Sequence, residues 1–68
     1  MDEITALLEH AAKLLIEAAN QLERDDPLHT AFAYMLVKNA QIKAEAAAYR
    51  LLPLVQQQMQ GQLEQITS

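Results

Sequence analysis

Apolar residues recur along this chain at the spacings of helix faces, and in its middle third they do so twice over. Between Pro27 and Leu52 one set, Leu28, Met35, Ile42, Ala46 and Tyr49, falls on one helical face. A second set, Ala33, Val37, Ala40, Ala44, Ala47 and Leu51, falls on another. A helix on the outside of a small monomer requires a single apolar stripe. Two stripes imply two neighbours, one bulky and one close enough to touch alanine.

Upstream, Ile4, Leu8, Ala11, Leu15, Ala18 and Leu22 keep a 4-3-4-3-4 spacing, widened by Leu7 and Leu14, with Glu9, Lys13, Glu17, Asn20 and Arg24 opposite. That spacing predicts a first helix over residues 2–24, packed along its length. Asp2 is a candidate N-cap. Asp25 and Asp26 then form a turn, and Pro27 suits the first position of a second helix, where its missing N–H costs nothing. Asp26 becomes the N-cap of that helix, its charge favoured by the helix dipole. So short a connection makes the two helices antiparallel neighbours.

The second helix is expected over 27–52. Proline inside a helix removes a hydrogen bond and clashes with the preceding turn, so Pro53 predicts a kink or a one-turn break. A C-terminal helical segment over 54–66 continues one thin stripe of Val55, Met59, Leu63 and Ile66 among glutamines, and Gly61 marks the point from which it would fray. The first helix spans roughly 35 Å, whereas residues 27–66 as one helix approach roughly 60 Å. The overhang must fold back at Pro53 or meet another chain. The expected fold is therefore all-α: one domain over 1–68, an antiparallel helical hairpin that dimerises into a four-helix bundle. The alternative is a monomeric three-helix bundle. Asn39, in line with the bulkier stripe, would fix register if buried.

Composition narrows the picture. At 68 residues the chain lies near the size at which one core barely outweighs chain entropy. It has no cysteine, which removes disulfides and thiolate zinc sites and leaves packing or oligomerisation to stabilise it. Net charge is −4, with seven acids in residues 1–26 against Lys13 and Arg24. Lys38, Lys43 and Arg50 do not share one face, so nucleic-acid binding by a helical regulator is disfavoured. No apolar run approaches a membrane span, and Met1-Asp2-Glu3 is acidic where a secretory signal is basic; a cytoplasmic protein is expected.

Candidate chemistry is sparse. Asp26 and His29, at i and i+3 beside Asp25, could offer a metal two ligands, but zinc takes three or four and no others stand out. His10 lies on the polar side of helix 1 near Glu17 without further ligands. Neither histidine follows a glutamate by three positions, as di-iron bundles require. There is no cysteine, serine occurs only at Ser68, and one glycine cannot build a phosphate loop. No enzyme, cofactor or metal is expected.

What remains is interaction. Phe32, Met35 and Tyr49 are expected in the core, and Tyr34 on the polar arc as an exposed contact residue. The expected association surface comprises Phe32, Tyr34, Met35, Val37, Ala40, Ala44, Ala47, Leu51, Val55 and Met59. The sequence thus points to a small non-enzymatic adaptor, inhibitor or regulator that dimerises and binds a protein partner, a type of chain frequent in bacterial accessory and phage genes. The short acidic first helix, the Asp-Pro turn and the longer second helix also resemble the small helical-hairpin co-chaperones of type III secretion needle subunits. That resemblance covers residues 2–55 at the level of architecture, without a shared motif, and the glutamine-rich tail departs from it. It implies a hairpin that holds a helical partner.

Overall fold

The computed structural model describes the backbone of residues 2–67 and the side chains of residues 3–62. Two helices account for it, α1 (Asp2–Leu22) and α2 (Pro27–Thr67), joined by residues 23–26 into an antiparallel hairpin. α1 ends two residues earlier than its charge pattern suggests. Its last turn tightens into three i→i+3 bonds, from the N–H groups of Glu23, Arg24 and Asp25 to the carbonyls of Asn20, Gln21 and Leu22. Asp25 then takes a left-handed conformation, φ 52°, which reverses the chain. Asp26 caps α2 as expected: its Oδ1 accepts the His29 N–H at 2.9 Å, and its carbonyl accepts the Thr30 N–H at 3.0 Å. Asp2 itself is the first helical residue of α1, and its side chain lies outside the described residues.

α2 runs as one helix through Pro53, so of the expected kink or one-turn break the break is absent. Forty-one residues at 1.5 Å per residue make a helix about 60 Å long, and the longest dimension of the molecule is 61 Å. The second helix is therefore extended from end to end, and the chain by itself does not form the three-helix bundle. Pro53 has no N–H for the Tyr49 carbonyl, but Pro53 is exposed and water can take that place. The radius of gyration, 17.6 Å, far exceeds the roughly 11 Å of a compact chain of this length.

The seam between the helices is built from methyl groups. Among the described residues the buried ones are all alanine: Ala11 and Ala18 of α1, Ala33, Ala40 and Ala47 of α2. They recur every seven residues, so each set lies along one line of its helix. Ile4, Leu7, Leu14 and Gln21 of α1 and His29, Leu36, Lys43 and Ala46 of α2 are half-buried at its edges. This assigns the small-residue face of α2. Ala40 and Ala47, expected at an association surface, are 3% and 1% exposed against α1 of the same chain.

The bulky face is left in solvent. Met35 is 65% and Tyr49 77% exposed, and Phe32 is also exposed, where core positions were expected. On α1 the buried line passes through Ala11 and Ala18 with Leu7 and Leu14 at its edge. Leu8, Leu15 and Leu22, expected in the packed stripe, are each about half exposed. The reason is steric. A connection of four residues holds the helices close, and close approach admits methyl groups on both sides but not an aromatic ring. Asn39 is exposed and fixes no register within the chain. Leu63 and Ile66, the end of the predicted tail stripe, have side chains outside the described residues.

Two substitutions test this arrangement. Ala40→Leu is expected to destabilise the hairpin by about 1–3 kcal/mol, because the added isobutyl group has no space in the seam. Chemical denaturation with unchanged stability would place Ala40 outside that seam. Asp25→Gly should stabilise it by up to about 1 kcal/mol by relieving the left-handed backbone, measured as a raised denaturation midpoint.

Candidate interaction surface

The hairpin buries one line of residues on each helix and exposes the two flanks beside it. One flank is marked by Glu3, Glu17 and Gln21 of α1. Arg50 reaches across to it, with Nη2 2.9 Å from Glu3 Oε1 while Nη1 donates to the Ala46 carbonyl at 3.2 Å. Phe32, Met35 and Leu36 share a shallow groove with Glu17 and Gln21, and the Gln21 side-chain amide donates to Glu17. On α2 Phe32 stands on this flank, and Leu28, Met35, Ile42 and Tyr49 follow in one helical line between it and the outer side, all exposed. Phe32 meets the His29 ring edge-on, with centroids 6.0 Å apart.

The opposite flank is aliphatic. Positions 8, 15 and 22 of α1 lie across the seam from positions 3 and 17. In an antiparallel pair they share their side with Val37, Ala44 and Ala48 of α2. These residues are all exposed. Leu8, Leu15 and Leu22 thus form one wall of an open groove whose other wall is Val37 and the exposed alanines.

The two flanks differ in length. The Glu3–Arg50 pair sets the start of α1 level with Arg50, so the rest of α2 extends beyond α1 as an arm. From Leu51 to Thr67 the arm measures about 25 Å. The aromatic line stops at Tyr49, because Arg50, Pro53, Gln56, Gln57 and Gln60 follow on that side. The aliphatic line of Val37 and Ala44 continues seven residues on as Leu51, half-buried, with Val55 exposed beside it, while Leu52 and Met59 are exposed further round toward the outer side of α2.

Of the ten surface residues expected from sequence, the structure places Val37, Ala44 and Val55 along the aliphatic flank and its extension, with Met59 further round toward the outer side of α2. Leu51 lies at the start of the arm. Phe32 and Met35 belong to the aromatic flank, Tyr34 is exposed in line with Ala48, and Ala40 and Ala47 are in the seam. Sequence reasoning missed Leu8, Leu15 and Leu22. Their signal was present: they form the larger half of the 4-3 pattern whose smaller half is Ala11 and Ala18.

The titratable cluster at the turn is used structurally. The second oxygen of Asp26 meets His29 Nδ1 at 2.5 Å while the first caps the helix. Among the described residues no group of three histidines or carboxylates converges here or elsewhere. The His29 N–H bond, assisted by the imidazole, holds the Asp26 carboxyl below its ordinary value of 3.8. A depressed folded value means that Asp26 supports the fold above pH about 3.8 and loses that support as pH falls further. Asp26→Asn, which keeps an acceptor but cannot ionise, is expected to flatten the acid-side fall in stability below pH 4. An unchanged slope in denaturation at stepped pH would remove Asp26 from that role.

No helix among the described residues is long and apolar enough to cross a membrane. No family model, curated protein or solved structure matches the chain.

Proposed function

We propose that this chain is a small non-enzymatic protein–protein interaction module that self-associates as a homodimer and engages a further protein by helix–helix packing. The observation that carries the reading is the imbalance of its surfaces. Five alanines are buried, whereas fourteen large apolar side chains among the described residues are exposed. The accessible surface is 5589 Å², against about 4,300 Å² for a folded monomer of 7.6 kDa. The surplus of about 1,300 Å² exceeds the roughly 800 Å² that each partner of a standard interface buries.

The two flanks support two kinds of contact. The aliphatic one is long, uniform and continuous with the arm. The aromatic one, Leu28 to Tyr49, is confined to the hairpin and offers Phe, Met and Tyr, residue types favoured at interfaces. It fits the apolar face of one amphipathic helix of another protein. This is also the feature that favours the second reading, a secretion co-chaperone-like hairpin holding a helical partner. The three cations of α2 offer little to nucleic acid: Arg50 is engaged by Glu3 and Lys43 is half-buried, leaving Lys38. The acidic, cysteine-free composition fits action in the cytoplasm.

Sedimentation equilibrium across a concentration series tests the reading. The mass is expected to rise from 7.6 kDa toward twice that value as concentration increases. A helical species that stays at 7.6 kDa into the high micromolar range would overturn the homodimer.

A further inference from the structure

We infer that the arm of α2 is the third helix of a second copy's hairpin, so that two chains pair antiparallel by exchanging arms. The inference rests on the homodimer proposed above and names its geometry.

Three observations meet here. The hairpin has an open aliphatic groove, walled by Leu8, Leu15 and Leu22 on one side and by Val37 and Ala44 on the other. The arm carries exposed apolar residues, Val55 on the side of α2 that is continuous with that groove and Leu52 and Met59 next to it toward the outer side. The lengths also agree, since the arm is about 25 Å long and α1 with its 21 residues about 30 Å. An arm can therefore fill the groove almost from end to end.

Its own groove is out of reach. To enter it, the arm would have to reverse at Pro53, but α2 continues as one helix through that residue. A second copy, turned end for end, meets no such obstacle. Its arm enters the groove parallel to α1 and antiparallel to α2, as the third helix of an up-down-up bundle does. The first copy's arm enters the second copy's groove by the same two-fold operation, so both grooves and both arms are covered in one closed dimer. Each half of the resulting rod has three helices in cross-section. The symmetry axis passes level with Ala47, because Thr67 of one chain then lies level with Pro27 of the other.

The arrangement also explains why the aliphatic line extends past α1 and the aromatic line does not. Only the side that meets the second copy needs apolar residues on the arm. The polar side, with Gln56, Gln57 and Gln60, remains in water, and the aromatic flank of each hairpin stays free for another protein.

The test uses the full chain. Val55→Asp and Met59→Asp, on the arm, and Leu15→Glu, in the groove, should each raise the dimer dissociation constant at least about tenfold by burying a charge without a partner. Met35→Lys and Tyr49→Lys, on the aromatic flank, should leave it unchanged. Circular dichroism at high concentration reports whether each variant is still helical. Pulsed electron resonance on the otherwise cysteine-free chain gives an independent readout that no folding defect imitates. A spin label at Gln60→Cys should lie about 35–40 Å from its counterpart, and one at Glu45→Cys within about 20 Å. A dimer broken by the aromatic-flank variants but not by the arm variants overturns the arm exchange while the homodimer stands. So does a short Gln60–Gln60 distance, which marks a parallel pair. A chain that remains monomeric overturns both.

Discussion

Close contact between two rows of alanines is the constraint from which the rest of this structure follows. Ala11 and Ala18 on one side and Ala33, Ala40 and Ala47 on the other bring the helices together with little side chain between them. A methyl group removed from water contributes only about 0.8 kcal/mol. Such a seam specifies which faces meet, yet it removes little apolar surface from water. Fourteen of the larger apolar residues among the described ones are left exposed beside it, which is why a hairpin with a well-defined interior presents greasy exteriors. Stability and stickiness have a single origin here.

The turn serves the same seam. Asp25 reverses the chain in the left-handed region, and Asp26 supplies an acceptor to the first exposed N–H groups of α2, with His29 closing on its second oxygen. The phase at which α2 leaves the turn determines that its alanine face, and not its aromatic face, looks toward α1. The histidine and the aspartates that stand out in the sequence as candidate chemistry are thus consumed in setting this geometry. What is left exposed is apolar surface, arranged in lines of different character and different length.

The unequal helices turn that surface into a specification. A hairpin with equal arms would expose its flanks but would give a second copy no element to contribute. Here α2 outruns α1, and the excess carries an apolar line that continues one flank only. Helical continuity through Pro53 matters as much as the line itself, because it separates the arm from its own hairpin by the length of the rod. The proposed self-association through such an arm leaves the aromatic flank free.

Much of this was legible in the residues. The helix content, the Asp26-Pro27 start of α2, the antiparallel hairpin and the excess of apolar faces over partners all follow from local rules: 3.6-residue periodicity, capping chemistry and the length of the connection. Two apolar stripes at helical spacing are equivalent to a periodicity argument, however, and it cannot rank them. Bulk suggested that Phe32, Met35 and Tyr49 would lie in the core. The tertiary structure chose the alanines, because the distance between two tethered helices admits methyls on both sides and excludes rings. Pro53 was ambiguous for a related reason. The cost of a proline in a helix is local, but whether the chain breaks there depends on whether a neighbour lies within reach to reward the reversal, and that is decided only in three dimensions.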